Sequence, residues 1–265
     1  MTNKKTPNDG DILGIFIKEC NDALLLTEDG QVTLSYFQKE RGLSLETIKK
    51  HRLGFCHPQK DITNVLENIF KDSEKKVDNP YSYYRINDNL IVPVYSEFGS
   101  VIAFATRRPF KSNDGWWNSP FPKGSNLYML NDARKYIFEK NKVYLVEGYM
   151  DALTLHQAGL KNVVAIMGTK LTLRNMGLIA RYCNNICLCM DVDVNKSGQK
   201  AVSKIISDLY SIGLCDKISI VDDLPEGLDP DEYVLKFGID KFLSMEKVLS
   251  RKELLKRVKQ YKKNA

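Results

Sequence analysis

The chain has 265 residues, 43% of them hydrophobic, enough for one large domain or two small ones with a real core. Its 39 Lys and Arg against 33 Asp and Glu leave a formal net charge of +6, a mild basic excess that permits a nucleic-acid partner without requiring one. No apolar run is long enough to span a bilayer and MTNKKTPNDG has no signal-peptide core, so the expectation is a cytoplasmic protein with no membrane partner.

Residues 1–10 are polar, with Pro and Gly, and read as disordered. Apolar residues at helical spacing predict helices over 11–26 and 31–40. After Arg41-Gly42-Leu43, Ser44 is a plausible N-cap for a short helix over 45–51, which leads to Leu53-Gly54-Phe55. A helix is expected over 61–70 and a charged loop over 71–79. Residues 90–95 and 101–106 read as a hairpin around the turn at 97–100, with Arg107 and Arg108 at its end. Trp116 and Trp117 follow in a polar loop, where they either stack on a base or anchor a core.

A connecting helix over 131–140 precedes a regular alternation. Strands are predicted at 143–146, 163–167, 186–190 and 218–221, with helices at 152–158, 173–182 and 199–212 between them. That alternation argues a parallel sheet covered on both faces. Residues 241–265 are amphipathic and strongly basic, either a solvated helix capping the core or a nucleic-acid contact. Six cysteines are scattered without zinc-site spacing, so buried reduced thiols are expected and no zinc.

Chemistry-bearing residues recur at strand ends. Glu147 follows the first strand of the alternation, where open α/β sheets place their chemistry. Alone it reads as a surface Glu in a turn. Asp191 and Asp193 follow the third strand at alternate positions, and Asp229-Pro230-Asp231-Glu232 comes after the fourth. Parallel strands bring such ends together, and a set of oxygen ligands that leaves positions open suits Mg²⁺ bridging to phosphates. Gly168-Thr169 makes a turn whose backbone can approach phosphate, or a plain turn.

Four motifs carry a resemblance: Glu147-Gly148-Tyr149-Met150-Asp151, Gly168-Thr169-Lys170-Leu171-Thr172, Asp191 and Asp193 with Ser197-Gly198 and Ala201, and Asp229-Pro230-Asp231-Glu232. In this order they resemble the TOPRIM domain of bacterial DnaG-type primases. YFQKERGLSLETIKKHRLGF and IVPVYSEFGSVIAFATR are similar to the start and the hairpin of the primase catalytic core, and Asn118-Ser119-Pro120, Lys123-Gly124 and Leu127-Tyr128 fit a further family pattern. The implied fold is α/β: a TOPRIM doubly wound parallel sheet (141–225), preceded by an α+β primase-type basic subdomain (1–140) and followed by a short helical segment (226–265).

The resemblance implies template-directed synthesis of short RNA primers on single-stranded DNA from ribonucleoside triphosphates, with two Mg²⁺ or Mn²⁺ ions. Glu147, Asp191 and Asp193 would be catalytic and metal-binding, with Asp229 and Asp231 completing the metal set. Arg41, Arg85, Arg107, Asn118, Lys123, Asp151 and Lys170 would contact nucleic acid or nucleotide. For Lys170 a solvated surface position is the alternative. No zinc-binding module or helicase-binding domain is expected, as in a stripped primase of a mobile element or phage or a piece of a longer protein. A replicative helicase, or a zinc-binding subunit in trans, is then a possible partner.

The chain departs from the family at Gly115, which replaces a lysine, and at Trp116, which replaces a tyrosine. Its loop Asp191-Val192-Asp193-Val194-Asn195-Lys196-Ser197-Gly198 is two residues longer than the family's and has Val for the first Gly. Two rivals stand beside primer synthesis: a TOPRIM nuclease, and a non-catalytic nucleic-acid-binding accessory subunit.

Overall fold

The computed structural model describes residues 9–57, 86, 88–110, 115–168, 170–190, 197–213, 217–221, 224–225 and 227–264. The expectations for 1–8, for the 61–70 helix, for the 71–79 loop, for Arg85, and for Asp191 and Asp193 lie outside the described residues. The chain forms two compact units, Met1–Phe121 and Pro122–Ala265.

In the first unit, α1 (Asp9–Leu26) and α2 (Glu28–Ser35) meet at Thr27, whose hydroxyl donates to the Ala23 carbonyl and accepts the Gly30 N–H at 3.1 Å. A Cβ on Gly30 would stand 2.2 Å from the Ala23 oxygen, so only glycine lets the helices cross here. The expected 31–40 helix ends instead in a π-helical turn, Tyr36–Glu40, closed by Arg41 N–H donating to Tyr36 O. Gly42, at φ +61°, then turns the chain so that Leu43 is buried. Ser44 caps α3 (Leu45–Lys50) as expected, accepting the Thr47 N–H at 3.1 Å.

The predicted hairpin is β2 (Leu90–Tyr95) and β3 (Val101–Arg107), in register from Leu90↔Arg107 to Val94↔Ala103. Two-residue strands flank it, β1 (Gly54–Phe55) and β4 (Trp117–Asn118), giving an antiparallel sheet ordered β1-β2-β3-β4. Strands this short carry no readable period. The sheet buries Ile91 and Phe104 with Phe16, Ile17 and Cys20 of α1, the two phenyl rings lying 5.1 Å apart.

The second unit contains a short 3₁₀ turn (Lys123–Ser125), α4 (Leu130–Lys140), β5 (Lys142–Val146), α5 (Tyr149–Gln157), β6 (Val163–Ala165), α6 (Leu173–Ala180), β7 (Asn185–Leu188), α7 (Ser197–Ile212), β8 (Lys217–Ile220), α8 (Pro230–Phe237), α9 (Ile239–Ser244), β9 (Lys247–Val248) and α10 (Arg251–Asn264). The sheet runs β6-β5-β7-β8-β9, the first four strands parallel. Leaving β5, the chain visits one side of it and then returns to the other, which makes the carboxyl end of β5 a topological switch point.

Two expectations are corrected. The compact boundary falls at Phe121–Pro122, not at 140, because Leu130, Ala133 and Ile137 of α4 share one buried cluster with Val143, Leu145, Ile186, Leu188, Ile218 and Ile220. The basic C-terminal stretch is not one helix over 241–265. It contains β9, antiparallel to β8, before α10 returns Val258 to the same cluster.

Alternate strand residues point to the other face, where Tyr144, Cys187 and Ser219 align across three strands. Glu246, just before β9, pairs there with Lys142 and accepts the Tyr144 hydroxyl at 2.8 Å. Burial alone would raise the Glu246 pKa, but hydrogen bonds from Lys142, Ser219 and Tyr144 outweigh it and hold the carboxyl below its ordinary value. The tyrosine hydroxyl is pushed up by burial and by this carboxylate.

Two measurements check these contacts. Gly30→Ala should lower stability by about 2–3 kcal/mol in urea denaturation, because backbone on both sides must move. Glu246→Gln should cost about 1–2 kcal/mol at neutral pH, discounted for partial exposure. Since the folded-state pKa is depressed, the wild-type contribution is present above the ordinary Glu value and is lost as pH falls through the folded one. The variant's melting temperature should therefore converge on wild type below about pH 4.

Candidate functional site

The site is built at the carboxyl end of β5. Glu147 follows the strand directly and is half-buried. Gly148 N-caps α5, yet glycine has no side chain to accept the first helical N–H groups. Asp151, at the third helical position, reaches back and accepts the Gly148 N–H at 3.0 Å. The fit is close: a Cβ on Gly148 would sit 2.8 Å from Asp151 Oδ2.

The other Asp151 oxygen accepts the Asp231 N–H at 3.2 Å. Asp231 is the second residue of α8, after Pro230, so its N–H is the first donor that helix leaves without an intrahelical acceptor. One carboxylate thus caps two helices and joins two motifs 80 residues apart. Asp231 Oδ1 accepts the Glu232 N–H at 2.9 Å, and Asp231 is 3% exposed. Asp229 occupies the N-cap position of α8, but its side chain makes no capping hydrogen bond and the residue is exposed.

Asp151 is 5% exposed and both its oxygens receive backbone N–H groups, so it ties the two helix starts together. The described part of the neighbouring strand runs to Met190, with Cys189 N–H donating to Leu145 O at 2.8 Å beside the end of β5. Asp191 and Asp193 come next and lie outside the described residues. Among the described residues no group of three or more His, Cys, Asp or Glu could hold a metal ion.

Gly168 and the following loop lie after β6, preceded by Met167 in the left-handed region at φ +58°. Lys170 is exposed there. Thr172 caps α6 and its hydroxyl bonds the Gly124 carbonyl, while Asn175 Nδ2 donates to Asn126 O at 2.8 Å and Arg174 to Ser125 Oγ at 3.1 Å. The Lys123-Gly124 step is thereby clamped to the N-terminus of α6. A Thr-x-x-Asn capping box at 172–175 could have flagged the helix start, though not the clamp. Lys123 is half-buried, and burial lowers its pKa. Among the described residues its ammonium makes no ion pair, a position that gains from an arriving anion. Leu127 and Tyr128 are structural: Tyr128 bridges Ala165 and meets Tyr149 edge-on at 4.9 Å.

In the first unit, Arg41 donates from Nε to the Tyr36 hydroxyl at 3.1 Å and lies over that ring. Arg107 ends β3 and sits 5.6 Å over the Trp116 ring. Asn118 pairs with Ala105 and is half-buried. The two tryptophans divide their work. Trp117 packs on Phe104 as a core anchor, and Trp116 carries an arginine. Arg85 is outside the described residues. The described cysteines carry no disulfide, and burial pushes the Cys183 thiol up to about 11.

Comparison with known proteins matches residues 21–134 to the family described as DNA primase catalytic core, N-terminal domain, and residues 144–234 to a Toprim-like family. A DNA primase of Staphylococcus aureus (strain COL) is 34% identical over 243 residues, 85% of this chain and 39% of that protein. The chain thus spans about two-fifths of the length of the curated relatives it matches. The Aquifex aeolicus primase structure (zinc-binding and RNA polymerase domains) superposes with TM-score 0.77 at 27% identity, over 98% of this chain and 70% of that one. A DnaG primase catalytic domain bound to ssDNA superposes with TM-score 0.71 at 26% identity, over 89% and 79%. Among the described residues no helix is long and apolar enough to cross a membrane.

Removing the Asp151 carboxylate strands two buried N–H groups. Asp151→Ala should lower stability by about 2–4 kcal/mol, and Asp151→Asn, which keeps one acceptor, by roughly half of that. Urea denaturation of both variants checks the order, and a loss below about 0.5 kcal/mol for alanine would contradict the double cap.

Proposed function

Because the chain belongs to the DnaG-type DNA primase family, as a catalytic core of the TOPRIM superfamily, we propose that it synthesises short RNA primers on single-stranded DNA. The observation that carries this reading is the Asp151 double cap, which brings Glu147 and the Asp229-Pro230-Asp231 step to one end of the sheet. The reaction joins the primer 3′-hydroxyl to the α-phosphate of a ribonucleoside triphosphate and releases pyrophosphate, the hydroxyl proton leaving to a base.

The donors at that end are carboxylates, hard oxygen ligands that suit Mg²⁺ or Mn²⁺. Asp191, Asp193, Asp229 and Asp231 would hold the ions, two in number, with Glu147 as a further ligand or as proton acceptor. Bound divalent cations supply charge neutralisation on the triphosphate and line up nucleophile and leaving group. The exposed Asp229 carboxylate, not used on its own helix, fits this role. Lys123, half-buried without an ion pair among the described residues, and Lys170 would bind the polyphosphate. Arg41, Arg85, Arg107 and Asn118 would hold template or nucleotide, with Arg41 and Arg107 pre-oriented on Tyr36 and Trp116. The site of action is the cytoplasm, with a helicase or a zinc-binding subunit as candidate partner.

The test is incubation with labelled ribonucleotides, single-stranded DNA and Mn²⁺. New oligoribonucleotides support the primase, shortened DNA a nuclease, and a gel shift alone a binding module. The double variant Asp191→Ala, Asp193→Ala should abolish primer synthesis while keeping the wild-type melting temperature. Persistent synthesis in that variant would overturn the site assignment.

A further inference from the structure

Seven of the 14 residues of α10 are basic: Arg251, Lys252, Lys256, Arg257, Lys259, Lys262 and Lys263. Against them stands Glu253 alone, so seven cations less one anion leave +6, equal to the formal net charge of the entire chain. The rest of the sequence is neutral in sum, and the basic excess is gathered on one helix. Both family matches end before it, at residues 134 and 234.

The single acid feels Arg257, four residues on, but it is chiefly engaged at the helix start. Glu253 accepts the Ser250 N–H at 2.8 Å and the Ser250 hydroxyl, while its own N–H donates to Ser250 Oγ. It is bound up in a capping box at the helix start. Other helices of this chain balance their charges four residues apart: Lys18–Asp22 at 2.7 Å in α1, Lys135–Glu139 at 3.8 Å in α4 and Lys204–Asp208 at 2.7 Å in α7. In α10 Glu253 and Arg257 stand so, but Lys252 and Lys256 repeat one sign, an arrangement that costs an isolated helix a few tenths of a kcal/mol, roughly.

The helix has two faces. Val258 is buried in the sheet's core cluster and Leu254 packs against it. Lys252, Lys256 and Lys259, at i, i+4 and i+7, are exposed on the opposite side. With the apolar face already buried, no surface remains for insertion into a lipid interface. The stripe extends about 10 Å at the rise of an α-helix. Phosphates of one strand lie about 3.4 Å apart along a duplex axis and further apart in an extended single strand, so the stripe reaches at most about three of them.

We propose that the exposed lysine stripe of α10 is a tether for the phosphate backbone of the single-stranded DNA template. The choice of DNA as the anion rests on the primase reading, but the contact itself is sequence-independent and needs neither nucleotide nor metal. It is tested by fluorescence anisotropy with labelled oligothymidylate, without nucleotides or divalent cations, across about 50–200 mM salt. Charge reversal in K252E/K256E/K259E should weaken binding at least about tenfold and flatten the log–log salt slope by about two, the value for three phosphates on a single strand. K252R/K256R/K259R should bind as wild type. Should charge reversal lower the melting temperature, the neutral K252Q/K256Q/K259Q variant is read in its place, with the same loss of slope. Unchanged affinity and slope in the charge-altered, folded variant overturn the proposal. Lysine-dependent DNA binding in a chain that makes no RNA would sink the primase reading alone. RNA synthesis with lysine-independent binding would sink the stripe alone.

Discussion

A single buried carboxylate sets the geometry of the second unit. Asp151 accepts one N–H from the start of its own helix and one from the start of α8, so two helix N-termini that need an acceptor share one. The first bond is local and the second brings a helix 80 residues on to the same sheet end. The arrangement exists because the two positions that would ordinarily cap are not used for capping. Gly148 has no side chain, and Asp229 does not turn back onto α8. Taking over the capping leaves an exposed acid beside the strand end where chemistry is expected.

The surroundings brace that end in the same manner, by side chains that serve backbone groups. Thr172 and Asn175 bind the carbonyls of Gly124 and Asn126, which ties the Lys123 loop to α6. Tyr149 is buried against Tyr128, and burial keeps its hydroxyl protonated by raising its pKa. At the far edge, Glu246 binds Lys142 and Tyr144 and so stitches β9 and everything after it to the first strand of the sheet. These side chains give the backbone groups they meet a partner, and an unmatched polar group in low dielectric costs more than an ordinary hydrogen bond contributes.

Charge is distributed unevenly, and the unevenness has meaning. Lys123 is a cation under partial burial, whereas Lys252, Lys256 and Lys259 of α10 are exposed. The first type responds to a ligand by recovering lost solvation, and acts locally. The second acts through summed field and counterion release, and is weakened by salt.

Much of this could be read from residues alone. Strand and helix periods from 141 onward, the hairpin at 90–107 and the Ser44 cap all follow from local chemistry, since side-chain spacing and capping act over a few positions. The order of Glu147, Asp191, Asp193, Asp229 and Asp231 was likewise legible, because parallel strands send their carboxyl ends to one side. What local chemistry could not reveal were the two-residue strands β1, β4 and β9, which exist only because a longer neighbour offers them an edge. Nor could it reveal that Asp151 would accept the Asp231 N–H, or that Trp117 would anchor a core while Trp116 carries Arg107. Sequence determined which side chains are chemically able to act and roughly where along the chain they stand. Only tertiary structure decided which carboxylates are used up on backbone donors, because that depends on which helix ends happen to meet.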